Sequence, residues 1–225
     1  MKTISIIIVS KTTTDEALEL LRDTLFSLLT YQGRKQIKEV IIMENSDEKL
    51  IYHTPVKVIN KPGEFNYNGF MNEGIRNLQY ETDYIAVCNN DLEFDKNWLK
   101  ILDYDYPSMS PKCSLTQSQK HFNEPTMGYK TAQELAGWCI VLKKDVWKQI
   151  KGFDESVSFW ASDDCYREQL LKEGIEHWII PESKVNHIGC GSNTLKHLSK
   201  EEKNKLTFEQ VKIFNAKYNK KLFGK

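Results

Sequence analysis

Ile4-Ser5-Ile6-Ile7-Ile8-Val9 is an almost unbroken β-branched run, the pattern of a strand buried on both faces. Thr13-Thr14-Asp15-Glu16 then reads as a capping box. Leu18, Leu21, Leu25, Leu28 and Leu29 follow at helical spacing. Val40 to Met43 and Val56 to Ile59 read as two further strands. Asn68 to Gln79 is a helix weakened by Gly69 and Gly74, and Asp83 to Cys88 is another apolar strand. This alternation predicts an α/β fold: a mostly parallel central sheet with helices on both faces. Asp103 to Lys130 has little apolar periodicity and three prolines, and reads as a long functional loop. Leu135 to Leu142 restores order. Ser162 to Gly174 is a helix with Asp163 and Asp164 in its first turn, and His177 to Ile180 a short strand stopped by Pro181. Ser199-Lys200-Glu201-Glu202 is a second capping box, and Val211, Phe214, Tyr218 and Leu222 form one apolar stripe behind it.

A chain of 225 residues with 40% hydrophobic positions can bury a sizeable core. No linker marks a second domain. The chain divides instead into a half at about 1–100, a half at about 101–195 and an amphipathic basic helix at about 196–225. Lys plus Arg and Asp plus Glu number 31 each, which excludes coating of nucleic acid by bulk charge. The charges are unevenly spread: from Lys196 onward nine Lys face three Glu. That tail reads chiefly as a solvated helix face. The five cysteines form no C-x-x-C pair, and no run resembles a signal peptide or a membrane span, so the sequence reads as a cytoplasmic protein with reduced thiols.

In open α/β sheets, ligands sit beyond the carboxyl ends of the strands. Three such ends carry short polar groups: Ser10-Lys11-Thr12, Glu44-Asn45-Ser46-Asp47 and Asn89-Asn90-Asp91. Singly these are turn residues. Together they suit a small polar ligand such as a nucleotide. No G-x-G-x-x-G or P-loop is present, so a bound diphosphate needs a divalent cation. Asp91 is well placed to hold one, and His187 is either a second ligand or a histidine bonded within a turn.

The chain resembles the family 2 inverting glycosyltransferases, which have the GT-A fold. The resemblance runs from about residue 3 to about residue 195. Phe65-Asn66-Tyr67-Asn68 and Asn72-Glu73-Gly74 are similar to the family's FN-x-S and N-x-G elements. Asn89-Asn90-Asp91 with Trp98-Leu99 resembles its metal motif, and Gly137-Trp138-Cys139 through Gly152-Phe153-Asp154-Glu155 its GFDE block. Ser162-Asp163-Asp164 sits where the family has its ED motif. Pro181-Glu182, His187 and Ser192 match the closing pattern.

The resemblance implies a hexosyltransferase-type enzyme that moves a sugar, with inversion, from a nucleotide-sugar donor (UDP favoured) to an acceptor hydroxyl. It implies donor contacts from Ser10, Glu44, Asn66, Asn72, Asn89 and Asn90, and Mn²⁺ or Mg²⁺ on Asp91 and His187. It implies a general base at Asp163, with Asp164 as the alternative. Trp138 and Trp160 are candidates to stack the acceptor, or else core residues. The acceptor is open between a surface glycan, a lipid-linked sugar, a protein side chain and a hydroxymethylated base of phage DNA. Two departures matter: Asp91 is the metal motif's only carboxylate, and Ser162 stands where the family has Glu. Both keep a non-catalytic nucleotide-sugar or glycan-binding module on the same fold as the alternative reading.

Overall fold

The computed structural model describes residues 1–30, 34–47, 50–189 and 199–222. β1 (Ile4–Ser10) is buried along its whole length, and its side chains alternate between two cores. Ile4, Ile6 and Ile8 pack with Leu21, Leu25 and Leu28 of α1 (Asp15–Thr30) on one face of the sheet. Ile7 and Val9 pack on the other face with Phe70, Met71 and Ile75 of α2 (Tyr67–Arg76). The period of two along a strand and the helical period of the leucines thus meet as expected. Gly74 lets α2 approach closely, since a Cβ there would lie 2.6 Å from Ile7 Cγ2.

The remaining strands are β2 (Ile37–Glu44), β3 (Val56–Asn60), β4 (Tyr84–Cys88), β5 (Leu92–Phe94), β6 (Ser108–Lys112), β7 (Thr126–Met127), β8 (Cys139–Leu142) and β9 (His177–His187). They line up as β3-β2-β1-β4-β8-β6-β9-β5, with β7 paired to β9. The β3-β2-β1-β4 half is parallel, and β8 joins it antiparallel. α3 (Lys144–Gln149) and α4 (Ser162–Glu173) complete the middle of the chain. α4 stops at Gly174, whose φ of 64° suits glycine.

Three sequence expectations are corrected. Residues 103–130 are not one loop, because β6 lies inside them as a central strand between β8 and β9. Its Ser108 and Ser110 are buried, and both hydrogen-bond to the buried His177 of β9. A strand whose inward residues are serines gives no apolar signal. Nor does Pro181 end a strand. β9 runs on to His187, and the β6–β9 register jumps from Pro111↔Ile180 to Lys112↔Lys184. Pro181 falls in that bulge, where a missing N–H breaks no ladder bond. The C-terminal segment, finally, is two helices, α5 (Lys200–Leu206) and α6 (Phe208–Tyr218). Ser199 and Glu202 form the expected capping box, and Phe214 and Val211 are buried. At the first helix it is Thr14 that accepts the Ala17 N–H. Cys88, Cys113, Cys139 and Cys165 are free thiols. Cys190, Ser192 and Lys196 lie outside the described residues. Among the described residues, no helix is long and apolar enough to cross a membrane.

Candidate active site

Beyond the carboxyl ends of β1 and β4 lies a cavity of about 890 Å³. Ser10, Asn89, Asn90, Asp91, Trp138, Trp160, Asp163, Asp164 and His187 all line it. These are nine of the twelve residues singled out by sequence; the other three, Glu44, Asn66 and Asn72, do not reach the cavity wall.

Register builds one corner. β5 pairs antiparallel with β9 so that Leu92 faces His187. His187 is thereby set beside Asp91, and its Nε2 lies 3.1 Å from Oδ1 and 3.2 Å from Oδ2. The same nitrogen is 3.4 Å from Asn89 Nδ2. With a proton on Nε2 it donates to Asp91, and without one it accepts from Asn89. The second form is the one a metal ion requires. Asp91 Oδ1 is buried and has no hydrogen-bond partner. The Trp138 ring stacks on His187 at 5.4 Å and 18°, fixing the imidazole plane. Among the described residues no group of three or more His, Cys, Asp or Glu could hold a metal ion. Asp91 and His187 are two donors, and one of the carboxylate oxygens is unspent. That fits a hard divalent cation that takes its other ligands from phosphate and water.

A second part of the wall is the start of α4. Ala161, at its N-cap, has φ 65° and no side-chain cap. A left-handed alanine costs roughly 1–2 kcal/mol and persists only where packing holds it. Here Ala161 is buried with Val157, Cys165 and Phe214. The two aspartates that follow differ. Asp164 Oδ1 accepts from Arg167 Nη1 at 2.6 Å and from Thr131 Oγ1 at 3.4 Å, so its charge is committed. Asp163 Oδ1 accepts only the Asp164 N–H, at 3.0 Å. Burial, with Asp164 nearby, pushes the Asp163 carboxyl up to about 6. The helix N-terminus favours ionisation, but burial outweighs it here. Burial also raises Asp164, against the pull of Arg167.

At the ends of β1 and β4, Asn90 Nδ2 donates to Ser10 Oγ at 3.1 Å, and Tyr67 Oη donates to Asn89 Oδ1 at 2.7 Å. Glu44 is fully buried behind the β1 turn, where Oε1 accepts the Thr12 N–H at 2.8 Å and Oε2 has no hydrogen bond. Asn66 caps α2 through Gly69 N and donates to Glu155 O. Asn72 donates to Phe153 O and Glu155 Oε1, and accepts from Trp147 Nε1 and Phe153 N. Both asparagines hold α2 to the Gly152–Glu155 segment.

Sequence reasoning missed Tyr67, Lys11, Thr131 and the C-terminal residues Glu202, Lys205 and Leu206, all of which line the cavity. Residues 103–130, which read from the sequence as a functional loop, contribute nothing to its wall. The charge excess after Lys196 masked the closure by α5, because a lysine-rich helix looks solvated whichever way it packs.

Residues 5–103 match the sequence model of the family described as glycosyl transferase family 2. No curated protein matches the chain in sequence. Among solved structures, the fold is similar to GalNAc-T7 with UDP, GalNAc and Mn²⁺, with a TM-score of 0.66 and 13% identity over 83% of this chain. The chain spans 44%, less than half, of that protein. It is also similar to the catalytic domain of Drosophila beta1,4-galactosyltransferase 7 in complex with xylobiose. There the TM-score is 0.56 and the identity 16%, over 90% of this chain and 79% of that one. Residues 5–103, just under half of the chain, thus carry the sequence pattern of glycosyl transferase family 2, and the fold is the GT-A architecture.

Proposed function

We propose that the chain transfers a hexose, with inversion, from a nucleotide sugar to an acceptor hydroxyl. The observation that carries this reading is the contrast at the start of α4: Asp164 is tied to Arg167, while Asp163 is buried on the cavity wall and titrates near 6. A carboxylate of that pKa is ionised at neutral pH yet basic enough to take a proton as it is released. The acceptor oxygen attacks the anomeric carbon, its proton passes to Asp163, and the bond to the diphosphate breaks on the opposite face. The products are a glycoside and a nucleoside diphosphate.

Asp91 and His187 would hold Mn²⁺ or Mg²⁺, which when bound would neutralise charge on the departing diphosphate. Ser10, Asn89 and Asn90 line the donor side, and Trp138 keeps the imidazole in place. UDP is the favoured nucleotide, because UDP and Mn²⁺ accompany GalNAc-T7. A glycan is the favoured acceptor, because xylobiose accompanies the galactosyltransferase. Trp160, 39% exposed on the rim, offers a face for a sugar to stack on.

The test is release of nucleoside diphosphate from a panel of UDP-hexoses with Mn²⁺, offered glycan acceptors and, separately, hydroxymethylated DNA. The anomeric coupling constant of the product then reads inversion or retention. Donor binding without turnover on any acceptor would favour the binding-module reading.

A further inference from the structure

The residues after Ser199 lie outside the segment that matches the family model, yet they close the cavity through Glu202, Lys205 and Leu206. Gln210, near the start of α6, is 5% exposed. Its side chain spans two elements: Oε1 accepts the Ser158 N–H at 2.6 Å, and Nε2 donates to Lys205 O at 2.9 Å. Ser158 is also held from its other side, where its carbonyl accepts the Tyr67 N–H at 2.7 Å. Two residues on, the Trp160 N–H reaches Leu206 O at 3.3 Å. The same turn ends in the left-handed Ala161, packed against Phe214 of α6.

We propose that Gln210 is a positioning residue, which pins the turn Ser158–Ala161 between α2 and the C-terminal helices and so fixes where Trp160, and Asp163 in the helix that follows, stand in the cavity. The proposal rests on the reading of Asp163 as the base. Its geometric basis is independent of that reading. Ser158 is the first residue of the turn, and its backbone N–H and C=O are both spent on neighbouring elements. Gln210 supplies one of those two anchors.

The experiment compares the full chain with Gln210→Met and Gln210→Glu. Methionine keeps the length of the side chain but loses both hydrogen bonds. Glutamate keeps the acceptor for Ser158 N–H, and a carboxylate is favourable in the first turn of a helix. The Asp163 carboxyl is followed by ¹³C NMR titration of aspartate-labelled protein, with the signal assigned by Asp163→Asn. The native charged and titratable groups around it, Asp164 and Arg167 on α4 and Tyr67 on α2, are kept in all three proteins, and Gln210→Glu adds one carboxylate at the far end of the turn.

We expect the midpoint to fall by about half a unit or more in Gln210→Met, because a loosened turn admits water to the carboxylate. Gln210→Glu should restore it. In turnover, Gln210→Met should lose about tenfold in kcat at unchanged donor KM. An unshifted Asp163 titration in Gln210→Met, with only a lower melting temperature, would overturn the proposal and reduce Gln210 to a packing role. A shifted titration in a protein that shows no transfer would uphold the bracket and sink the base assignment alone.

Discussion

The main chain at Gly137 runs directly against the side chain of Asp163. A Cβ on residue 137 would lie 2.7 Å from Asp163 Cβ and 2.9 Å from Oδ2. No flexible tip is there to yield, since the nearest atom is the first carbon of the side chain. Gly137→Ala must therefore push Asp163 or its helix aside. We expect turnover to fall by about a hundredfold, with UDP–Mn²⁺ affinity changed less than about twofold. Initial rates and calorimetric binding on the same preparation separate the two effects.

Asp163 and Asp164 should respond differently to amide replacement. Asp163→Asn should abolish transfer while leaving nucleotide binding intact. Asp164→Asn should cost stability, because it leaves Arg167 with one fewer anion in a largely buried setting; Glu168 is its other partner. Transfer by the wild-type chain should rise with pH through an apparent pKa near 6, as Asp163 ionises. A flat pH–rate profile between 5 and 7 would exclude Asp163 as the base.

The same shift has a stability consequence. Burial raises the Asp163 carboxyl from 3.8 to about 6, so the folded chain holds this proton more tightly than the unfolded chain. Ionising it costs stability, progressively from pH about 4 and fully above about 6, by up to about 3 kcal/mol. Asp163→Asn should accordingly stabilise the fold at pH 8 and do little near pH 4. His177 acts in the opposite sense: burial pushes it down to about 3, so acid costs stability as the unfolded imidazole is protonated below about 6.5. The variant is therefore compared with its parent at each pH, by urea denaturation.

Asn72 is a structural clamp rather than a cavity residue. Its amide makes four hydrogen bonds, to Trp147, to both backbone groups of Phe153 and to Glu155. Asn72→Ala leaves several of these partners buried and unpaired, and should destabilise the chain by about 2–4 kcal/mol. Nucleotide affinity per folded molecule should be unchanged. A loss of affinity at full stability would restore the donor role that the family resemblance implies.

How legible each part was follows from the chemistry of its residues. β1 and α1 were readable because Ile6 and Ile8 on one side, and Leu21 and Leu25 on the other, bury apolar surface at the periods of their elements. β6 was not, because Ser108 and Ser110 fill its inward positions and are satisfied by His177, a residue about 70 positions away whose partnership no local pattern reveals. The strand-end polar residues Ser10, Asn89, Asn90 and Asp91 were readable as lining one cavity, since the topology of the sheet sends them to one rim. Asn66 and Asn72 stand off the cavity wall, where no local pattern could place them. A motif preserves residues that hold the site's walls together as well as those that face into it, and only contacts distinguish the two. The closure by α5 and the bridge made by Gln210 depend on packing between segments some 50 residues apart, for which the lysine-rich tail gave no sign.

In the proposed function, Asp91 and His187 hold a cation that in turn holds a nucleotide diphosphate. The most direct test is calorimetric titration of the chain with UDP in the presence of Mn²⁺, repeated with EDTA and with Asp91→Ala. We expect binding with Mn²⁺ that is lost in EDTA and in Asp91→Ala, while the variant's melting temperature without ligand stays near that of the parent. UDP binding of equal strength with EDTA, or undiminished in Asp91→Ala, would contradict it.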